Sequence, residues 1–295
     1  MRSGFVGLIG RPNVGKSTLI NSVIGKKVSI ISDKPSTTRN IIQGIYNDDN
    51  TQIVFVDTPG IHKANNKLGK VLNKQAFFTI KDVDVLLFLT DVSMPLGKGD
   101  KFIIDILKET DIPVILVLNK IDKIKKSEIL PRIEEYSKLY DFSEIIPLSA
   151  LKKDNTTHLI NVLKSYLPDS ITYFDTNVVT SSSKEFLISE LVREKVLELT
   201  SEEVPHSITC ITEEVNYNKN SVSIRCLIIV DRDNLKGIII GHNGNMIKEI
   251  GTRARIDIEE LLNKKVYLEL LVKVMPKWRD REKIINEMGY NDYFK

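Results

Sequence analysis

The chain has 295 residues, 42% of them apolar and 27% charged, which is long enough for about two globular domains and too ordinary in composition for a disordered or fibrous protein. Its 42 Lys and Arg against 39 Asp and Glu leave a net charge of +3, so any nucleic-acid surface must be concentrated locally rather than spread over the molecule. Two cysteines, Cys210 and Cys226, lie in alternating apolar stretches; they exclude a disulfide scaffold and a four-ligand zinc site, and read as buried core residues of a reducing, cytoplasmic compartment.

The first half alternates short apolar runs with helical patterns, the mark of βαβ units and a mostly parallel sheet. Strands are predicted at 5–9, 41–46, 52–57, 83–90, 113–119 and 144–148, and helices at 16–24, 68–79, 99–109, 127–139 and 155–166. The fold class is α/β, a six-stranded unit covering residues 1–170. Residues 171–183 are rich in Thr, Ser and Asn and read as a linker. A second domain, 184–295, opens with an amphipathic helix at 184–200 whose Ile188, Leu191, Val192, Val196 and Leu199 share a face. Strands at 207–216 and 221–231 follow, then an apolar run Ile238-Ile239-Ile240, a helix through about Leu262, a strand at 266–274 and a short helix near 281–288, in the order α-β-β-α-α-β. No apolar run reaches the roughly 18–20 residues that span a bilayer. Peripheral membrane association is not indicated by any transmembrane segment, and the glycine-rich start, Gly4 to Gly10, lacks the cleavage site of a signal peptide.

Gly10-Arg11-Pro12-Asn13-Val14-Gly15-Lys16-Ser17 fits G-x-x-x-x-G-K-[ST] between a strand and a helix that continues with Thr18. Glycines let the backbone close on phosphates, and the loop amides with the helix N-terminus complement their charge. Lys16 is expected to reach the β and γ phosphates, and Ser17 to ligate Mg²⁺, which favours oxygen. The base is read elsewhere. Asn119-Lys120-Ile121-Asp122 ends a strand: the Asp122 carboxylate can accept from two guanine N–H groups that adenine does not present, Asn119 can tie the loop back, and the Lys120 stem can lie over the ring. Ser149-Ala150-Leu151 supplies a small residue whose N–H can meet guanine O6. Asp57-Thr58-Pro59-Gly60 ends another strand, with Asp57 expected to hold magnesium through water and the Gly60 N–H to sense the γ-phosphate. In Ser36-Thr37-Thr38-Arg39, Thr38 is favoured over Thr37 to complete the magnesium shell.

This ordered set resembles the translation-factor-class GTPases of the group containing Era, EngA and MnmE. Where Ras-like enzymes orient water with a glutamine after the switch glycine, Ile61 and His62 follow Gly60 here; Ile61 has neither donor nor acceptor. The resemblance implies a hydrophobic-substituted GTPase whose water is positioned by another group, with His62 either a base or a solvated side chain. It also raises K⁺ as a cofactor beside Mg²⁺, since Asn13 stands where potassium-activated relatives donate an oxygen.

In the second domain, Gly241-His242-Asn243-Gly244 opens a helix, and G-x-x-G within α-β-β-α-α-β resembles an α+β type II KH domain, whose groove holds about four single-stranded nucleotides. Residues 236–283 carry eleven Lys or Arg, Lys248 among them, against seven Asp or Glu. Lys277 and Trp278 are expected to stack a base, the alternative being that Trp278 anchors packing. A P-loop GTPase domain followed by a KH domain resembles the Era family across nearly the whole chain. That resemblance implies GTP and GDP as ligands, 16S ribosomal RNA near its 3′ end and the 30S subunit as partners, and hydrolysis that relaxes the switch loops and changes domain packing. Two alternatives stay open: an RNA-binding protein that keeps GTP as a structural ligand, and an EngA- or MnmE-like GTPase independent of RNA.

Overall fold

The computed structural model describes residues 1–61 and 63–290, and the chain divides into two compact units. One comprises residues 1–29, 35–65 and 69–181, the other 30–34, 66–68 and 182–295.

In the first unit β1 (Arg2–Gly10), β2 (Ile42–Asp48), β3 (Thr51–Asp57), β4 (Val85–Asp91), β5 (Val114–Asn119) and β6 (Glu144–Leu148) form one six-stranded sheet in the order β2-β3-β1-β4-β5-β6. Between them run α1 (Lys16–Ile24), α2 (Lys67–Thr79), α3 (Lys98–Leu107), α4 (Ile129–Ser137) and α5 (Thr156–Tyr166). Only the β2–β3 pairing is antiparallel, so the sheet is mostly parallel, as expected. Helices on both faces explain why β4 is a continuous apolar run: Leu87 and Leu89 enter the core with Leu19 and Leu159, while Leu86 and Phe88 enter the other with Ile103 and Leu107. The parallel register sets Leu8 opposite Asp57, Asp91 opposite Asn119, and Asn119 opposite Leu148. The carboxyl ends of the strands therefore finish along one rim, where open α/β sheets hold ligands.

The tract 171–183, expected to be a linker or a long connection, pairs with the first unit. Gln52 accepts from the N–H groups of Tyr173 and Phe174 at 2.7 and 3.0 Å, and Ile45 N–H donates to the Val179 carbonyl at 2.9 Å. Thr180 forms a β-bridge with Gly44. Backbone pairing with an edge strand needs no large apolar side chain, so low hydrophobicity did not reveal it.

In the second unit α6 (Lys184–Leu199), α7 (Val204–Ser207), β7 (Ile208–Tyr217), β8 (Ser221–Val230), α8 (Asp233–Ile240), α9 (Asn245–Leu262), β9 (Lys265–Val274) and α10 (Glu282–Glu287) follow the expected order, with one added short helix, α7. The three-stranded sheet runs β7-β8-β9, antiparallel then parallel. The β-branched run 238–240 ends α8: Leu235 and Ile239, one helical turn apart, are buried, while Ile238 is 47% exposed. The polar side of α6 is also covered. Arg193 is fully buried and forks onto Glu190, while Lys195 reaches Glu194, Glu198 and Asp257. Cys210 and Cys226 are free and buried, and burial pushes the Cys226 thiol up to about 11, which makes it inert as a nucleophile.

Candidate nucleotide and RNA sites

The loop 10–15 links β1 to α1 at the ligand rim, and its carbonyls are held from several sides. Lys16, 6% exposed, donates through Nζ to the carbonyls of Gly10 at 3.3 Å and Arg11 at 3.1 Å. Asn119 Nδ2 donates to the Val14 carbonyl at 2.7 Å, and Lys120 Nζ to the Asn13 carbonyl at 2.7 Å. Asn13 itself takes φ 64°, a left-handed conformation that asparagine tolerates, and is exposed.

Burial pulls the Lys16 pKa down to about 8, against the opposing pull of Asp57. A buried lysine with a lowered pKa costs stability while it must carry charge, below about pH 8, and that cost fades as pH rises toward 10.5. Phosphates favour the ammonium form. Magnesium-free GDP binding at pH 9 should therefore take up close to one proton at Lys16, against almost none at pH 6.5. Calorimetry in two buffers of different ionisation heat reads this directly, and equal uptake at both pH values would contradict the assignment.

Ser17, Thr38 and Asp57 converge from α1, the loop before β2 and the end of β3. Ser17 Oγ lies 3.0 Å from Thr38 Oγ1 and donates to Asp57 Oδ2 at 2.7 Å, and Thr38 Oγ1 donates to the same oxygen at 3.4 Å. Asp57 is fully buried, and burial raises its pKa against the pull of Lys16 and the hydroxyls. Its Oδ1 has no hydrogen-bond partner among the described residues. Hydroxyls, one carboxylate and a buried unpaired oxygen suit Mg²⁺ completed by phosphates and water rather than an all-protein cage. Among the described residues no group of three or more His, Cys, Asp or Glu offers such a cage.

Thr58 turns away: its hydroxyl donates to the Leu8 carbonyl at 2.7 Å, tying β3 to β1, so its side chain does not face the phosphate loop. Pro59 leads to Gly60, whose place requires glycine because a Cβ there would lie 2.8 Å from Pro12 N and 2.9 Å from Pro12 Cα. Ile61 donates its N–H to the Gly10 carbonyl at 3.3 Å, and its side chain is buried with Ile9 and Phe88. It cannot hold water. His62 lies outside the described residues.

At the base-reading end, Ser149 Oγ donates to Asp122 Oδ1 at 2.5 Å, and the Ala150 N–H donates to Asn119 Oδ1 at 3.0 Å. The tripeptide's visible work is to orient Asp122 and Asn119, while Leu151 is exposed. Lys120 Nζ also pairs with Asp91 Oδ2 at 2.6 Å; burial raises the Asp91 pKa, but Lys120 and Ser93 outweigh it and hold the carboxylate below its usual range. Since Asp122 has the acceptors that guanine needs, Asp122→Asn should move preference from guanine toward xanthine nucleotides, and competition binding with GDP and XDP checks it.

In the second unit Gly241 and Gly244 bracket exposed His242 and Asn243 between α8 and α9. Lys248 in the first turn of α9 lines a groove of about 330 Å³ with Ile247, Gly251, Arg255, Leu268 and Leu270, between α9 and β9. Its apolar walls carry two cations. Trp278 corrects the expectation of a stacking platform. It is fully buried, donates Nε1–H to the Ser207 carbonyl at 3.0 Å and stacks on Tyr290 at 6.4 Å. Neighbouring Arg279 is spent on Asp231 at 2.6 Å, and exposed Lys277 takes φ 53° beside this packed corner without lining the groove. A large indole with a nearby buried acceptor gains more from the core than from solvent.

Residues 5–120 match the family model for the 50S ribosome-binding GTPase, and residues 203–279 match the KH domain model. A point variant of Aquifex aeolicus Era bound to GDP and AlF4⁻ is 42% identical, with a TM-score of 0.96 over 98% of this chain and 99% of that one. A structure of Era in complex with MgGDPNP and nucleotides 1506–1542 of 16S ribosomal RNA is 43% identical, again with a TM-score of 0.96 and coverage of 98% and 99%. The chain belongs to the Era family of GTPases.

Within this Era-family frame, sequence motifs missed the groups that hold the motif residues. Asp100, the third residue of α3, accepts from Arg11 Nη1 at 2.9 Å and from the Gly97 N–H at 2.9 Å, so the phosphate loop is moored to α3. Asp91 and the groove walls Ile247, Leu268 and Leu270 carry no motif. The alternation of β9 offered a signal for the last two, since one face had to meet a helix. Among the described residues no helix is long and apolar enough to cross a membrane.

Proposed function

We propose that this GTPase binds 16S ribosomal RNA through its KH unit in the cytoplasm and serves assembly of the 30S subunit, with hydrolysis as the switch. The observation that carries this reading is whole-length similarity to an Era solved with both nucleotide and 16S RNA. Similarity to a 50S ribosome-binding GTPase weighs less, because it spans residues 5–120 only.

The geometry supports the following roles. Lys16 neutralises phosphate charge, Ser17 and Thr38 give oxygens to Mg²⁺, and Asp57 acts through water. Magnesium supplies further charge neutralisation on the phosphates, and catalysis is otherwise positioning and electrostatics. Gly60, packed so close to Pro12 that a Cβ there would lie 2.8 Å from its nitrogen, is assigned to sense the γ-phosphate through its N–H. Gly10, Asn13, Val14, Gly15 and Thr18 surround the phosphates; Asn119, Lys120, Asp122 and the 149–151 loop serve the base. RNA would enter the α9–β9 groove, with bases against Ile247, Leu268 and Leu270 and backbone toward Gly241–Gly244, Lys248 and Arg255.

Ile61 is buried, so water must be oriented by another group. Asn13, exposed on the phosphate loop, is proposed to add an oxygen to K⁺; turnover should then be several-fold faster in KCl than in equal NaCl, and equal rates would remove potassium from the mechanism.

Crosslinking the chain to total RNA in GTP and in GDP, then sequencing the RNA, tests the function. Enrichment of the 3′ region of 16S RNA, differing between the two states, is expected. Unrelated messages in both states would sink the assembly reading, and bound GTP without turnover would favour a structural ligand.

A further inference from the structure

The buried Asp57 carboxylate has a third hydroxyl partner that no nucleotide motif contains. Ser29 Oγ, on a residue 2% exposed, donates to Asp57 Oδ2 at 3.1 Å, beside Ser17 at 2.7 Å and Thr38 at 3.4 Å. The three donors differ in what fixes them. Ser17 and Thr38 are assigned to present oxygens to the metal, and Thr38 lies in the loop before β2. Ser29 carries no such assignment.

Its backbone is instead clasped by one side chain. Asn21, on the helix that begins at the phosphate loop, accepts through Oδ1 from the N–H groups of Val28 at 2.9 Å and Ser29 at 3.0 Å. Asn21 Nδ2 donates to the Ser29 carbonyl at 2.7 Å. Both main-chain polar groups of Ser29 are thus tied to α1, the same element that carries Ser17. The clasp fixes the backbone from which the Ser29 hydroxyl reaches Asp57.

We propose that Ser29 is a positioning residue of the magnesium site: held by Asn21, its hydroxyl fixes Asp57 through Oδ2 and leaves Oδ1 for the metal's shell. The proposal rests on the assignment of Asp57 to magnesium. Outer-shell partners that orient a carboxylate typically change metal affinity by about tenfold to a hundredfold when removed. A serine that merely satisfied a buried oxygen would change stability and leave the metal dependence alone.

The test is release of fluorescent GDP from the full chain across a Mg²⁺ titration and in EDTA. Ser29→Ala should need about tenfold more Mg²⁺ for half of the slowing of release, with release in EDTA within about twofold of the parent. Ser29→Thr, which keeps the hydroxyl, should bring the midpoint back toward the parent. Asp57→Asn is the control for the underlying assignment. A parental midpoint in Ser29→Ala while Asp57→Asn shifts overturns the role of Ser29 alone; an unshifted midpoint in Asp57→Asn overturns the magnesium assignment itself. Faster release by Ser29→Ala in EDTA as well, with an unchanged midpoint, marks a structural serine and overturns the proposal. Should Ser29→Ala not bind GDP, Ser29→Thr decides: a midpoint displaced as far as that of Asp57→Asn overturns the proposal, and a parental one supports it.

Discussion

Lys16→Ala should cut single-turnover GTP hydrolysis by about 10²–10³-fold, the range seen when one preorganised donor to developing charge is lost. Two structural facts make the effect large. The ammonium is buried, so its charge acts in a poorly screened place, and the carbonyls of Gly10 and Arg11 aim it along the phosphate loop. The loop itself should survive the change, because Asn119, Lys120 and the Arg11–Asp100 pair hold it independently. GDP affinity and thermal unfolding, measured beside hydrolysis, separate the two. A variant that keeps more than a tenth of the parental rate would remove Lys16 from the catalytic set.

The second large effect concerns RNA, and the two glycines of the loop separate folding from recognition. At Gly241, φ is +70° and a Cβ would lie 2.6 Å from Met246 Cβ and 2.9 Å from Met246 N, on the start of α9. Gly241→Ala must therefore shift the loop, costing about 1–3 kcal/mol of local strain along with RNA affinity. At Gly244, φ is +77° and no atom lies within 4 Å of an added Cβ. Aspartate is among the few side chains that visit that backbone, and its charge suits a helix N-terminus, so Gly244→Asp should still fold, at a cost of no more than about 1–2 kcal/mol from the left-handed φ. The same charge would repel a phosphate there. RNA affinity should fall about tenfold to a hundredfold, or ~1.4–2.8 kcal/mol, with the unfolding midpoint lowered only slightly. Fluorescence anisotropy with a single-stranded RNA and a thermal melt read both quantities; undiminished RNA binding by Gly244→Asp would place the RNA elsewhere.

The chemistry of the nucleotide site was legible because phosphates and guanine impose residue types at short spacings. A loop that must approach phosphate needs Gly10 and Gly15, a metal shell needs Ser17, and a guanine edge needs the acceptors of Asp122. Such demands are local, and they leave a trace within a few residues. The element order was legible for a similar reason: β4 reads as a continuous apolar run because both its faces are covered, and helices show the 3.6-residue period.

Partners distant along the chain leave no such trace. Ser29 reaches Asp57 across 28 residues, and Asp100 reaches Arg11 across 89; each is an unremarkable polar residue until the sheet brings the loops to one rim. Trp278 stays ambiguous in the sequence for the same reason, since an aromatic between two cations has one appearance for stacking on a base and for packing on Tyr290, and only the Ser207 carbonyl 71 residues away decides for packing. The tract at 171–183 reads as a linker, because backbone pairing to a sheet edge asks nothing of side-chain hydrophobicity. The opening charge of +3 belongs with these cases. It averages over a groove between α9 and β9 that carries Lys248 and Arg255 and forms only when those two elements pack together. Sequence alone determined two domains, a guanine nucleotide and the loop glycines, all set by local geometry; the tertiary structure decided which side chains hold those groups in place, because such contacts exist only between segments that folding makes neighbours.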